Sequence, residues 1–207
     1  MHPNPIYRSE DDAQHHAFAT QRGFGVLAVN GPNGPLLSHV PFVPSAGGVD
    51  LHLVRSNPIA WALTGGPLPC VLAVSGADGY VSPDWYGVED MVPTWNYIAV
   101  HLRGTLALAP VEGLRAHLDA LSDHFETRLL PKPVWKTDKV APDALARMLR
   151  QIVPLHLEIA STDGTWKLNQ NKTEPARAGV VEGLASSPIG QELAQLMAAM
   201  RAAKGVG

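Results

Sequence analysis

The stretch from Trp95 to Ala109 constrains the fold of this chain more than any other part of the sequence. Apolar and polar side chains alternate along it. One face would carry Ile98, Val100, Leu102, Leu106 and Leu108, and the other Trp95, Tyr97, His101, Arg103 and Thr105. A period of two residues is the pattern of a β-strand, so this stretch predicts a long strand with one apolar and one polar face.

Shorter apolar runs between turn signals predict further strands. They lie at 24–29, 35–43, 49–55, 68–75, 80–86, 155–160 and 165–168. The first two flank a Gly-rich turn and predict a hairpin. The last two predict a hairpin around Thr162-Asp163-Gly164. The 19 Gly and 18 Pro agree with many turns and short strands.

Helical periodicity and end signals predict helices between and after the strands. They lie at 9–22, 59–63, 112–130, 141–152, 175–184 and 188–204, the last capped by Ser187. Regular alternation of strand and helix is absent, which argues against a doubly wound fold. The pattern therefore favours the α+β class, with an antiparallel sheet or a small barrel.

Length and charge narrow the function classes. The 207 residues can build one core, and we expect a single domain over 1–207 in which 171–207 form a helical C-terminal extension. A formal charge of -3 argues against broad electrostatic capture of nucleic acid or anionic lipid. The single Cys70 excludes an intrachain disulfide, and no apolar run approaches membrane-spanning length. We therefore expect a cytoplasmic protein with no membrane partner.

Common catalytic and metal-binding motifs are absent from the sequence. It has no dinucleotide fingerprint, phosphate loop, zinc-protease helix or nucleophile elbow. The nine histidines show no ligand spacing with Cys or carboxylates, so no metal site is predicted. No residue stands out as catalytic. His101 could donate a proton, but a packing or interface role explains this histidine better.

The run from Val54 to Pro58 is the first candidate binding feature. It places Arg55, Ser56 and Asn57 where a strand leads into a helix. Free backbone N–H groups and the helix dipole attract phosphate at such a position, and a guanidinium adds a bidentate contact. An ordinary helix cap with a surface arginine explains the same residues equally well.

Two further clusters offer polar groups beside flat apolar surface. The polar face of the long strand, beginning at Trp95 and Asn96, combines stacking surface with donors for a planar ligand. A dimer or sheet-packing face is the alternative interpretation. The run from Trp166 to Lys172, which contains Lys167 and Gln170, could hold anionic or carbonyl oxygens, or could be an ordinary polar loop.

Several separated runs follow one another along the chain: Ser38-His39-Val40-Pro41, Arg55-Ser56-Asn57-Pro58, Tyr80-Val81-Ser82-Pro83-Asp84-Trp85-Tyr86, Val92-Pro93-Thr94-Trp95-Asn96-Tyr97 with Val100-His101, Trp166-Lys167-Leu168-Asn169-Gln170-Asn171-Lys172 and Gly179-Val180-Val181-Glu182-Gly183-Leu184. In this order they resemble the motifs of the PaiB family of FMN-binding negative transcriptional regulators. The resemblance covers about residues 1 to 185.

This resemblance implies an antiparallel split β-barrel with peripheral helices and a C-terminal helical tail, forming a homodimer that binds FMN between its subunits. By analogy and residue chemistry we expect the FMN phosphate near Arg55, Ser56 and Asn57, assisted by Lys167 and Gln170. The flavin ring would lie along Ser38, His39, Val40 and Pro41, with Trp95 and Asn96 nearby. Flavin requires these three elements: a flat apolar slot, donors for its carbonyl edge and a cradle for its phosphate.

The resemblance leaves two functions open. The first is a flavin-binding transcriptional regulator with a DNA or protein partner. The second is an FMN-dependent oxidoreductase that uses NAD(P)H without binding DNA. Direct DNA binding fits poorly with the net negative charge, since phosphate neutralisation supplies much of the affinity for DNA.

Overall fold

Seven strands form one sheet in this computed structural model, which describes residues 1–8, 11–203 and 205. The strands are β1 (Phe24–Gly31), β2 (Gly34–Ser45), β3 (Gly48–Val54), β4 (Leu68–Val81), β5 (Thr94–Leu108), β6 (Ile152–Lys167) and β7 (Gly190–Gln191). Their order is β1-β2-β3-β6-β5-β4-β7, and β1 also pairs with β4. That additional pairing closes six strands into a barrel, which confirms the predicted α+β class.

Six α-helices accompany the sheet in the described part of the chain. They are α1 (Asp12–Arg22), α2 (Pro58–Ala62), α3 (Leu114–Glu126), α4 (Pro142–Leu149), α5 (Glu174–Ala185) and α6 (Leu193–Ala202). The predicted helix at 9–22 begins at Asp12 in the structure, and residues 9 and 10 lie outside the described residues. The helix predicted at 112–130 is shorter because 3-10 turns flank it at both ends.

The chain divides into two compact units. One, here called the barrel unit, comprises Ala17–Val74 and His101–Thr162. The other, here called the helical unit, comprises Met1–His16, Ser75–Val100 and Asp163–Gly207. No helix in the ranges that the structure describes has the length and apolarity needed to span a membrane.

Inward-facing aliphatic side chains form the core of the barrel unit. Strand β1 pairs antiparallel with β2 on one side and with β4 on the other, and β3 pairs antiparallel with β6. The fully buried side chains include Leu27, Phe42, Leu51, Leu72, Leu102, Leu106, Leu155 and Leu157. The alternation predicted for the long strand is confirmed, because Leu102 and Leu106 are buried while Arg103 and Thr105 are exposed. Leu108, at the end of β5, is the exception and is 45% exposed.

Two predicted interruptions of the sheet are wrong. The strands predicted at 68–75 and 80–86 are replaced by the continuous strand β4, which ends at Val81, and 83–86 form a 3-10 turn. The hairpin predicted around Gly164 is also absent, because β6 runs without a break from Ile152 to Lys167. A Thr-Asp-Gly sequence usually marks a turn, but here cross-strand pairing keeps it extended.

Gly164 has a packing role in place of the predicted turn. A Cβ atom at this position would lie 1.9 Å from Nε2 of His15, in the same helical unit. His15 is 1% exposed, so its ring occupies the space that any larger residue at 164 would need. The glycine therefore permits a close approach between a strand and a buried imidazole.

The C-terminal helices complete the helical unit. Helix α5 packs against the 3-10 turn at 83–86 and against α6, burying Val180, Leu184, Leu196 and Met200. The helix predicted at 188–204 begins only at Leu193, because Gly190 and Gln191 pair with β4 first. Ser187 is therefore not its cap.

Candidate functional site

The start of α2 gathers three of the predicted phosphate-binding residues within the barrel unit. Strand β3 ends at Val54, and the exposed Arg55 follows it directly. The Arg55 guanidinium donates from Nε to the carbonyl oxygen of Arg150 at 3.1 Å and from Nη2 to that of Ile152 at 3.3 Å. These contacts fix the direction of the arginine.

Asn57 caps this short helix and ties it to β2. Its Oδ1 accepts from the backbone N–H of Ile59 at 2.9 Å, as a helix cap does. Its Nδ2 donates to Oγ of Ser38 at 3.2 Å. Pro58 at the first helical position leaves no backbone N–H unpaired there. The structure thus brings Ser38 into contact with Asn57, which follows Arg55 and the exposed Ser56 in the chain.

The segment Ser38 to Pro41 lies in the middle of β2, paired with β1. Alternation places its side chains on opposite faces, so Val40 is 1% exposed and belongs to the core, whereas His39 is exposed. The His39 ring stacks on the half-exposed Phe24, with ring centroids 6.4 Å apart and planes at 30°. Pro41 is partly exposed on the same strand face as His39.

Trp95 and Asn96 sit at the beginning of β5, in the helical unit, and they face opposite ways. Trp95 is 46% exposed and meets Tyr80 edge to face, at 6.3 Å between centroids. Asn96 is fully buried, donates to Sδ of Met200 at 3.8 Å and leaves its Oδ1 buried without a partner among the described residues. Only Trp95 of this pair therefore presents open stacking surface.

Lys167 and Gln170 also belong to the helical unit. The Gln170 side chain folds back on its own loop, accepting from the N–H of Leu168 at 2.8 Å and donating to the carbonyl of Trp166. Lys167 donates to Oγ1 of Thr94 at 2.5 Å, and its ammonium lies 5.9 Å from the centroid of the Tyr7 ring. Burial lowers the pKa of Lys167.

A small cavity of about 180 Å³ lies beside Lys167, wholly within the helical unit. Tyr7, Tyr86, Asn169 and Lys172 line it along with Lys167. The sequence analysis included Asn169 and Lys172 in the run that could hold anionic or carbonyl oxygens, but it assigned no role to Tyr7 or Tyr86. Tyr86 and Lys172 lie in motifs that carry the family resemblance, which was a usable signal. Nothing in the sequence pointed to Tyr7.

Two histidine clusters occur elsewhere in the barrel unit, without a catalytic geometry. Asp50 Oδ1 accepts from Ser45 Oγ at 3.0 Å and from His156 Nδ1 at 2.7 Å, so the serine donates to the carboxylate and not to the imidazole. His52 Nδ1 and His117 Nε2 share a hydrogen bond of 3.1 Å. Among residues 1–8, 11–203 and 205, no group of three potential ligands is placed to hold a metal ion.

Comparison with known proteins identifies a family and relatives that are similar in sequence. The family model described as "Putative FMN-binding domain" matches residues 1–161. The protease synthase and sporulation protein PAI 2 of Bacillus subtilis is 26% identical over 87% of this chain and 88% of its own length. An uncharacterised protein of Aspergillus fumigatus is 27% identical over 80% of this chain and 84% of its own.

Solved structures show the same fold at low sequence identity. The FAD and heme binding protein from Mycobacterium smegmatis superposes with a TM-score of 0.58 at 18% identity, covering 78% of this chain and 73% of that one. The flavocytochrome Anf3 from Azotobacter vinelandii gives 0.59 at 15% identity, covering 80% and 72%. The barrel is therefore a split β-barrel, as the family resemblance implied.

Proposed function

We propose that this chain, which belongs to the FMN-binding domain family, is a flavin-binding regulatory protein that holds FMN at a homodimer interface. The proposal rests mainly on the match of residues 1–161 to this family, because FMN is the cofactor of the family. The similarity to PAI 2, a protease synthase and sporulation protein, extends over nearly the whole chain and supports the regulatory role.

The residues at the start of α2 fit the cofactor's phosphate. A guanidinium carries five N–H donors, and within the described residues carbonyl oxygens accept from two nitrogens of the exposed Arg55, Nε and Nη2. The hydroxyl of Ser56 is exposed next to it. Arg55 and Ser56 would hold the phosphate, while Asn57 and Ser38 keep the strand end and the helix start in place. Bound FMN supplies a redox-active ring, and no residue of this chain needs to react covalently with it.

Exposed apolar side chains of the barrel unit support the homodimer. Trp61 on α2 is 61% exposed, Leu37 on β2 is 63% exposed and Val54 at the end of β3 is 54% exposed. Helix α2 packs against β2, and Leu37 is the immediate neighbour of Ser38, which Asn57 contacts. Large exposed apolar groups beside a polar cluster are typical of an interface. A second copy of this chain would cover them.

We expect regulation to proceed without tight DNA binding. The net charge of -3 gives little electrostatic attraction for a polyanion. A flavin-dependent response passed to a protein or metabolite needs no basic surface. Cys70, the single cysteine, is buried, and burial raises its pKa to about 11, so its thiol stays protonated.

The proposal is tested on the purified full chain. We expect stoichiometric FMN after reconstitution and dialysis, a dimer by light scattering, and no retention of promoter DNA at moderate salt. Protein that takes up no FMN would overturn the flavin role. Rapid NADH or NADPH oxidation by the FMN-loaded dimer would favour the oxidoreductase over the regulator.

A further inference from the structure

The cavity beside Lys167 has features that the flavin proposal does not explain. Its walls combine two tyrosines, Tyr7 and Tyr86, with two lysines, Lys167 and Lys172. Both tyrosines are buried, and burial raises the pKa of each, so their hydroxyls remain protonated and able to donate. Apolar wall comes from Met91 and Val92.

Both lysine ammonium groups lie against aromatic rings. Lys172 Nζ is 5.3 Å from the centroid of Tyr86, and Lys167 Nζ is 5.9 Å from that of Tyr7. Their other contacts are with neutral groups, the Thr94 hydroxyl and the Met91 thioether. Within the described part of the chain neither lysine forms an ion pair. Burial disfavours the charged form of Lys167, and an anion bound in the cavity would offset that cost.

Asn169 adds a buried donor at the same place. It is 2% exposed, and its Oδ1 accepts from the Tyr86 hydroxyl at 3.2 Å. Its Nδ2 is buried and has no hydrogen-bond partner among the described residues. The backbone at Asn169 is left-handed, with φ of 61°, a conformation that asparagine adopts more readily than most residues. An unpaired buried amide costs free energy that a ligand oxygen would recover.

We infer that this cavity is a binding site for a small phosphate or carboxylate anion, held by Lys167, Lys172 and the Asn169 amide. The site goes beyond the proposed function because it requires no flavin. Asp90 also lines the cavity, but its carboxylate is exposed to solvent, which screens its repulsion.

The volume of the cavity limits the size of the anion that it can enclose. A cavity of about 180 Å³ is below the range of pockets that enclose whole cofactors, about 300 Å³ and more. It accommodates an inorganic anion, a short organic acid or the phosphate end of a longer molecule. The phosphate of FMN and a free metabolite anion share this chemistry, so the test separates these two sources.

The test uses flavin-free full-length protein and inorganic phosphate, with binding followed by NMR shifts of the Asn169 side-chain amide and neighbouring backbone signals. We expect saturable binding that weakens by about tenfold or more in Lys167→Met and in Lys172→Met. Lys139→Met, an exposed lysine of the barrel unit, is the matched control and should leave phosphate affinity unchanged.

Asn169→Asp provides a second variant that retains shape. The carboxylate still accepts from Tyr86 and tolerates the left-handed backbone, but it brings a negative charge to the cavity. We expect this variant to fold, by circular dichroism and thermal melting, and to lose phosphate binding. Equal phosphate affinity in the wild type and all three cavity variants, or no saturable binding at all, would overturn the site.

Competition identifies the source of the anion. If FMN displaces inorganic phosphate while riboflavin does not, the cavity receives the cofactor's phosphate. If phosphate binds FMN-saturated protein with unchanged affinity, the cavity takes a separate anion. Both outcomes support the anion site. FMN uptake by wild-type protein is measured independently, so loss of the flavin proposal would leave this result interpretable.

Discussion

At the scale of single residues, burial keeps two neighbouring histidines of the barrel unit neutral. Burial, followed by the nearby His52, lowers the pKa of His117 to about 4, against a smaller opposing effect of Asp50. Burial also lowers the pKa of His52. In the unfolded chain both would titrate near 6.5. Below about pH 6.5, these two histidines therefore bind protons more readily in the unfolded chain than in the folded protein.

We predict that this histidine pair makes no pH-dependent contribution to stability well above pH 6.5 and that it lowers stability as the pH drops from there towards 4. Over this range the unfolded state binds protons that the folded state refuses, which favours unfolding. His117 alone accounts for up to about 3 kcal/mol. In urea melts, His117→Gln should remove most of this dependence, while the exposed His39→Gln should retain it. A pH profile unchanged by His117→Gln would contradict the assignment.

Arg55 supports a second residue-scale prediction. If its guanidinium meets the FMN phosphate, Arg55→Ala should weaken FMN binding by about 1.5–3 kcal/mol, as expected for a charge-assisted contact. Arg55→Ala also removes the hydrogen bonds to the Arg150 and Ile152 carbonyl oxygens. Riboflavin lacks the phosphate, so any loss of riboflavin affinity in this variant measures the effect of those lost hydrogen bonds alone. Fluorescence titration of both flavins measures the difference. An equal loss for FMN and riboflavin would remove Arg55 from phosphate binding.

At the scale of secondary-structure elements, glycines in α5 decide how the helical unit packs. A Cβ at Gly183 would lie 2.3 Å from the Trp85 ring, and one at Gly179 would lie 2.3 Å from the Trp85 carbonyl oxygen. Spaced four residues apart, the two glycines lie on the same face of the helix. That bare face lets α5 approach the 3-10 turn at 83–86 closely.

We predict that Gly183→Ala destabilises the protein by about 1–3 kcal/mol, because the ring of Trp85 must shift to admit the methyl group. Helix propensity alone would give the opposite sign, about 1 kcal/mol of stabilisation. Gly113→Ala is the control, since nothing lies within 4 Å of a Cβ there. Thermal melts compare the two variants. A Gly183→Ala variant as stable as the wild type would contradict this packing role.

At the scale of the whole molecule, flavin binding and self-association are proposed to depend on each other. The exposed Trp61 lies on α2. Asn57 caps this helix, and Arg55 precedes the cap by two residues. A second copy that covers Trp61 would therefore also enclose the phosphate-binding residues. Central aromatic side chains commonly supply most of the binding energy of an interface.

We predict that Trp61→Asp converts the dimer to a monomer and reduces FMN retention along with it. Loss of a central aromatic anchor costs about 2 kcal/mol or more of association free energy. Light scattering with in-line flavin absorbance reports both properties at once. Leu129→Asp, at a residue 54% exposed, is the control and should remain dimeric with its flavin. A dimeric Trp61→Asp variant would place the interface elsewhere.

Much of the architecture was predictable from local patterns. The period-two alternation of β5, the turn between β1 and β2 and the Ser-Asn-Pro start of α2 each carry their own structural preference. The sequence was misleading where a local turn signal competed with pairing to distant residues. Thr162-Asp163-Gly164 stays extended in β6, and residues 76–80 stay extended in β4, because ladder hydrogen bonds hold them.

The sequence by itself determined the strand-rich class, the apolar face of the long strand and the motifs that lead to a flavin. Only the tertiary structure decided that Gln170 binds its own loop. It alone placed Tyr7 beside Lys167. The physical reason is that patterning records which face of an element is apolar, whereas a cavity is made by side chains distant in sequence.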